Sequence, residues 1–307
     1  MTEPALLIQQ LHKEYKGREA LRGVDLRIDA GQFFGLLGRN GAGKSTLIGL
    51  ICSLRRLQRG RIAVFGHDVR RQSVAARRCI GLLPQEANFN SFEPLIEIVA
   101  SQAMYYGLSK RSAEQRATEV LAMLGLAERQ HSKAWGLSGG MKRKLMLARA
   151  LVHKPKLLIL DEPSAGLDIE ARLALWEMLR ALNRQGTTIL LTSHNVDEVE
   201  TLCDDTAIID DGKIIARSPP HTLLAGLDSR QLTLHLAAPI VAPPVLRAAA
   251  LHDWQPLRLQ LQWPHQRDLA PLFAELAAQG VQVASVDDDG KRLEARFLQL
   301  LAAGGEV

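Results

Sequence analysis

One nonapeptide restricts this chain more than any other stretch: Gly38-Arg39-Asn40-Gly41-Ala42-Gly43-Lys44-Ser45-Thr46. It follows Phe33-Phe34-Gly35-Leu36-Leu37, an apolar run that reads as a buried strand. It precedes Leu47-Ile48-Gly49-Leu50-Ile51, apolar enough for the inner face of a helix. Strand, glycine loop and helix form the context in which G-x-x-x-x-G-K-[ST] carries a mechanism. Glycines let the loop turn its N–H groups inward around phosphate oxygens, where a Cβ would obstruct the approach. The helix that follows aims its first N–H groups and positive dipole end at the same anion. Lys44 is placed to reach the β- and γ-phosphates, and Ser45 to ligate Mg²⁺. A glycine-rich turn beside a surface lysine leaves the flanking strand and helix unexplained. The stretch predicts a nucleoside-triphosphate site.

At 307 residues the chain exceeds one typical domain, so one large and one small domain are expected. Its net charge of +5 is uneven, with −2 on residues 226–307 and +7 on 1–225, a balance suited to handling nucleotides beside anionic lipid. Cys52, Cys79 and Cys203 lie in apolar patterns without metal spacing and read as buried, reduced thiols of a cytosolic protein. No apolar stretch approaches the roughly 18–20 residues that cross a bilayer. Met1-Thr2-Glu3-Pro4 lacks the basic region and apolar core of a signal peptide. The expectation is a cytoplasmic chain whose membrane work is done through a partner.

Along the chain, Ala5–Leu11 and Val24–Ile28 read as strands, with Tyr15 in a polar turn between them. Residues 61–66 give another strand, Ser73–Arg78 a short basic helix, and Ile80–Leu83 a strand ending at Pro84-Gln85. From residue 86 to 135 the spacing turns helical, over Pro94–Tyr106 and Ala113–Leu124. This predicts a helical insertion, spanning 86–150 when the basic amphipathic helix Lys142–Val152 is included. Leu157-Leu158-Ile159-Leu160, closed by Asp161-Glu162, fits a central parallel strand. A helix over Ala171–Leu182, a strand over Thr187–Thr192 and then Ser193-His194 follow. This alternation implies a doubly wound parallel sheet with ligands at the carboxyl ends of its strands.

These pieces, in this order, resemble the nucleotide-binding subunit of ATP-binding cassette (ABC) transporters across roughly residues 5–225. They are the phosphate loop, Gln85, the signature Leu137-Ser138-Gly139-Gly140-Met141, the strand ending at Asp161-Glu162, and His194. Ser164-Ala165-Gly166-Leu167-Asp168 resembles the family's D-loop, and Tyr15 falls where its adenine-stacking aromatic sits. The implied fold is an α/β P-loop NTPase cassette, with a RecA-like parallel sheet, an antiparallel β subdomain and the helical insertion. The implied ligands are ATP and Mg²⁺. Asp161 and Ser45 hold the metal, Gln85 touches the metal or the lytic water, Glu162 is the general base, and His194 senses the γ-phosphate. Taken singly, Asp161-Glu162 also reads as a helix-capping pair, and His194 as a structural histidine. Ser138, Gly139, Gly140 and Asp168 are implied to complete the ATP site of a second copy, which predicts a homodimer with two composite sites.

Three roles for that ATP compete. An energising subunit for a separately encoded permease accounts for the insertion and for Phe89 and Phe92 in the polar segment Glu86–Pro94, where a permease could dock or where the two rings could simply pack beneath the loop. An ABC ATPase of ribosomes or DNA should carry tandem cassettes or a coiled coil between its motifs, and neither is present, so no nucleic-acid partner is expected. An unrelated P-loop kinase or GTPase lacks the signature. Leu-Ser-Gly-Gly-Met-Lys-Arg-Lys over 137–144 resembles the ABC-2 exporter branch, which favours export through an ABC-2-type permease over import. It also places the chain at the cytoplasmic face of the inner membrane. A hairpin over 207–215 is expected to close the cassette.

Residues 226–307 read as a separate α+β domain without a catalytic constellation. Strands are expected over Gln231–Leu236, Leu257–Trp263 and Val281–Val286, with helices over Asp268–Ala278 and Lys291–Leu301. Asp287-Asp288-Asp289-Gly290 reads as a solvated turn, and Trp254 and Trp263 suggest a regulatory or dimer-contact surface.

Overall fold

The computed structural model describes residues 3–220, 222, 229–247, 249–264 and 268–288. The chain divides into two compact units, one running up to Pro219 and the other starting at Pro220. The expected boundary between residues 225 and 226 lies outside the described residues, as do the helix over 291–301 and Asp289-Gly290.

The first unit opens on a hairpin of β1 (Leu6–Tyr15) and β2 (Arg18–Ile28). Tyr15 therefore ends a strand rather than sitting in a long polar turn. The turn is only Lys16-Gly17, at φ 48° and 82°, and two left-handed residues match the right-handed twist of the flanking strands. β4 (Arg59–Val64) and β5 (His67–Asp68) complete an antiparallel sheet of order β2-β1-β4-β5.

The second sheet carries the site. β3 (Phe33–Leu37), β6 (Ile80–Leu83), β7 (Leu157–Asp161), β8 (Thr188–Ser193), β9 (Asp205–Asp210) and β10 (Lys213–Ser218) lie in the order β10-β9-β3-β8-β7-β6. All neighbours pair in parallel except the β9–β10 hairpin. Every residue of β3 and β8 is buried, and β7 until Asp161. Continuous apolar strands of this kind belong to a sheet covered on both faces. Gly35 permits that cover to come close, since a Cβ there would fall 2.7 Å from Val199 Cγ1 of α7 (Val196–Leu202).

α1 (Lys44–Ile51) follows β3, and α2 (Ser73–Arg78) leads into β6. The helical insertion is α3 (Leu95–Tyr105), α4 (Lys110–Met123) and α5 (Gly139–Leu151), and α6 (Ile169–Arg184) links β7 to β8. Cys52 and Cys203 are buried and Cys79 half-buried, all unbonded. Burial, with the Asp161 charge adding to it, pushes the Cys52 thiol up to about 12.

The second unit is an antiparallel sheet of order β12-β13-β11-β14, from β11 (Ser229–Leu236), β12 (Ala250–Gln255), β13 (Arg258–Pro264) and β14 (Val283–Asp288), with α8 (Ala270–Ala278). β12 was not legible as a strand, because its side chains are mostly exposed and supply no apolar alternation. Trp263 is fully buried with Leu232, Leu234, Leu259, Leu261, Leu272 and Leu276. It is a core residue, which leaves Trp254, 37% exposed, as the surface indole.

Candidate functional site

The phosphate loop turns between β3 and α1. Gly43 caps α1 at φ 112°, a conformation an L side chain resists, and a Cβ there would also lie 2.9 Å from Ala20 O. The amides of Lys44, Ser45 and Thr46 find no backbone acceptor within the described residues, so the helix presents free donors at its positive end. Lys44 is folded back along the loop, its Nζ donating to Gly38 O at 2.6 Å and Arg39 O at 3.3 Å. Burial lowers its pKa, while Glu162 and Asp161 pull it back up. Arg39 through Gly41, Gly43 through Thr46, Gln85 and Glu162 line a pocket of about 290 Å³.

The two adjacent carboxylates face different partners because the backbone turns between them. Asp161 ends β7, where its Oδ1 accepts from Thr192 Oγ1 at 2.7 Å and its Oδ2 lies 3.5 Å from Ser45 Oγ. Glu162 adopts φ 49°, unusual for a residue with a side chain, held there by its N–H donating to Thr192 O at 3.0 Å. That turn swings its carboxylate into a ring of three partners. Glu162 Oε1 lies 3.7 Å from Lys44 Nζ and 3.2 Å from His194 Nδ1, and Oε2 accepts from Gln85 Nε2 at 3.3 Å. Glu162 is buried while His194 stays 60% exposed, so the histidine reaches the carboxylate from the solvent side. Three residues far apart in sequence thus converge on one carboxylate.

Other candidates stand apart from this ring. Tyr15 is not among the pocket's lining residues; its Oη accepts from Arg55 at 2.6 Å, and Lys13 Nζ lies 4.9 Å from its ring centroid. Ser138 caps α5, its Oγ accepting from Met141 N at 3.3 Å, and Asp168 caps α6, its Oδ1 accepting from Ala171 N at 2.8 Å. Ser138 and Gly139 are exposed at the start of α5, and Gly140 packs beside Ala171 in the first turn of α6. The start of α5 thus lies against the start of α6, and none of Ser138, Gly139, Gly140 and Asp168 lines the pocket within a single copy.

Two buried charges escaped the sequence reading. Arg143 on α5 donates to Pro84 O at 3.0 Å, Gln85 O at 3.1 Å and Glu162 O at 2.7 Å. One guanidinium thereby ties the signature helix to both sides of the pocket. Glu198 on α7, 1% exposed, accepts from Ser193 Oγ at 2.8 Å, from Trp176 Nε1 at 3.2 Å and from Ser164 Oγ, joining the segment after Glu162 to the residue before His194. Both fall on apolar stripes, Arg143 three and four residues before Met146 and Leu147, and Glu198 four before Leu202. A charge on the buried face of a helix was the signal available.

A glycine loop opening onto a helix, a hydroxyl beside one carboxylate and a second carboxylate held by lysine, glutamine and histidine define a P-loop nucleoside triphosphatase. The ABC transporter family profile matches residues 21–165. The chain is 35% identical over 303 residues to the linearmycin resistance ATP-binding protein LnrL of Bacillus subtilis (strain 168), covering 96% of this chain and 97% of that one. It is 39% identical over 219 residues to the Nod factor export ATP-binding protein I of Cupriavidus pinatubonensis, covering 71% and 67%. Among solved structures, an ATP-binding subunit of an ABC transporter superposes with a TM-score of 0.66 at 32% identity, covering 72% of this chain and 92% of that one. The chain belongs to the ABC transporter ATP-binding family. It is an ATP-binding, ATP-hydrolysing subunit of a transporter, and among the described residues no helix is long and apolar enough to cross a membrane.

Proposed function

We propose that this chain energises an exporter by closing and opening a homodimer on ATP, at the cytoplasmic face of the membrane, bound to an ABC-2-type permease. The observation that carries the reading is the ring around Glu162: Lys44, His194 and Gln85 all within 3.7 Å of one buried carboxylate, beside the Ser45–Asp161 pair.

The amides of Lys44, Ser45 and Thr46 and the Lys44 ammonium bind the phosphates, and Tyr15 stacks on the adenine. Ser45 Oγ and Asp161 Oδ2, 3.5 Å apart, are hard oxygens of the kind Mg²⁺ takes, and with Gln85 they would hold it. When bound, the ion neutralises charge on the phosphates. Glu162, beside the Lys44 ammonium, accepts the proton of the attacking water, and His194 donates toward the transferring phosphoryl group. Ser138, Gly139, Gly140 and Asp168 of a second copy would close the site from the far side, since one copy presents them on another surface.

Export is supported by the names of the relatives, one a linearmycin resistance protein and one a Nod factor exporter. Docking to a permease is supported by Phe92, 73% exposed just after Gln85, with Phe89 half-buried nearby. The C-terminal unit is a regulatory module, with Trp254 on its surface.

Glu162→Gln tests the central reading. Removing the general base slows hydrolysis by about 10²- to 10⁴-fold, while retained phosphate binding holds two copies together. Light scattering of this variant with saturating ATP and Mg²⁺ should give twice the protomer mass. A protein that stays monomeric under those conditions overturns the clasp.

A further inference from the structure

Residues 55–78 hold eight arginines and one acid, Asp68. That acid is already engaged: Arg61 Nε lies 3.4 Å from it, and the amides of Arg70 and Arg71 donate to it. The loop between α1 and β4, the end of β5 and helix α2 fold these cations around a concavity of about 830 Å³, with Lys13, Arg55, Arg56, Arg70, Arg77 and the Ser73 hydroxyl on its walls. No carboxylate lines it, and among the described residues none lies within 4.0 Å of those five cationic groups. It is separate from the nucleotide pocket, with which it shares no lining residue.

Three of the cations are fixed rather than waving in solvent. Lys13 is only 7% exposed, and among the described residues its ammonium has a single hydrogen-bond acceptor, Arg56 O at 3.1 Å. Arg70 Nη2 is braced on Leu57 O at 3.1 Å and Gln58 O at 3.3 Å. Arg55 donates to Tyr15 Oη. A buried ammonium without a counter-charge is costly, and four guanidiniums gathered around it raise the cost by mutual repulsion. The arrangement makes chemical sense when an anion carrying several charges sits among them, and forked guanidinium donors match phosphate oxygens.

We propose that this pocket binds a multivalent phosphate group, either a free polyphosphate or the headgroup of an anionic phospholipid. Lys13 and Arg55 line this pocket and also contact Tyr15, so occupancy is transmitted to the aromatic that the proposed function stacks on adenine. That link rests on the adenine reading of Tyr15; the anion site does not.

The test is run without nucleotide on the full chain carrying Lys44→Ala, which weakens phosphate binding at the loop. Pyrophosphate titrated by calorimetry probes the free anion, and co-sedimentation with phosphatidylglycerol against phosphatidylcholine vesicles probes the headgroup. Among the described residues Arg56 and Arg77 make no hydrogen bond through their side chains, so Arg56→Gln/Arg77→Gln leaves the fold intact. Losing charge-assisted contacts to phosphate should weaken binding by about tenfold or more and flatten its salt dependence. Arg111→Gln/Lys133→Gln, with the same charge loss on the helical insertion, should bind as the parent does. Pyrophosphate binding without vesicle binding identifies a free anion, and selective sedimentation with phosphatidylglycerol identifies a headgroup. Binding of neither probe, or equal loss in both double variants, overturns the site.

Discussion

Arg143 shows how one side chain can organise a site it does not enter. Its three acceptors are backbone carbonyls of Pro84, Gln85 and Glu162, so it sets where Gln85 and Glu162 sit without touching either side chain. Burial lowers its pKa, and the nearby charges of Glu198, Asp161 and Glu162 offset part of that. Only a planar fork reaches acceptors on two segments at once, and a lysine delivers a single point charge. Arg143→Gln is expected to lower kcat by about tenfold or more, since each buried carbonyl left unpaired costs roughly 1–3 kcal/mol, while ATP affinity measured at equilibrium changes little. Arg143→Lys should not restore the rate. A variant whose kcat survives while its affinity collapses would place Arg143 in binding instead. Neither this residue nor Glu198 could be assigned from sequence beyond noticing a charge on an apolar stripe, because their partners are carbonyls and hydroxyls brought in by the fold. Lys44, Asp161 and Glu162 were legible because their chemistry is encoded within a few consecutive residues.

At the scale of elements, most strands and helices announce themselves through periodicity, and the departures have local causes. α2 and β6 fall where the spacing puts them. β5 is two residues long, too short to carry a pattern. α7 buries Val196, Val199 and Leu202 but also Glu198, and it follows the loop of His194, so its seven residues give a weak signal. The insertion is pinned to the sheet by a contact that no pattern reveals. His153, two residues past α5, stacks on Tyr106 at 3.7 Å and lies 2.8 Å from Ile80 O of β6. A carbonyl only accepts, so Nε2 carries the proton, and Nδ1 is buried without a partner among the described residues. Burial accordingly lowers the pKa of His153 below its ordinary 6.5. The unfolded chain then binds a proton that the folded chain refuses. The stability contributed is complete above pH 6.5 and is lost as pH falls from there through the folded value. Thermal unfolding of the wild-type chain should shift downward over that window, and His153→Gln should show a shallower dependence. An identical pH profile for the two proteins would remove His153 from this role.

For the molecule as a whole, the two units have separate cores and separate architectures. The first buries its apolar strands between helices, whereas the second has one four-stranded antiparallel sheet with a single described helix. Trp263 fills the second core, so Trp263→Ala should cost about 3–5 kcal/mol there, a large share of what a small domain has in hand. Calorimetry should show the C-terminal transition lowered or lost while ATPase activity of the first unit persists. Loss of ATP binding in that variant would show that the two units do not fold independently.

The sequence by itself determined the nucleotide chemistry, the order of the motifs and the class of fold, because a phosphate loop and a strand closing on two carboxylates are local statements whose physics is complete within a few residues. Tertiary structure alone decided which way each carboxylate faces, that Arg143 and Glu198 knit the pocket's edges, that Trp263 is core, and that scattered arginines close into one basic concavity. Those outcomes depend on distances between residues tens to more than a hundred positions apart. Such distances follow from how strands pair and helices pack, which no local pattern contains.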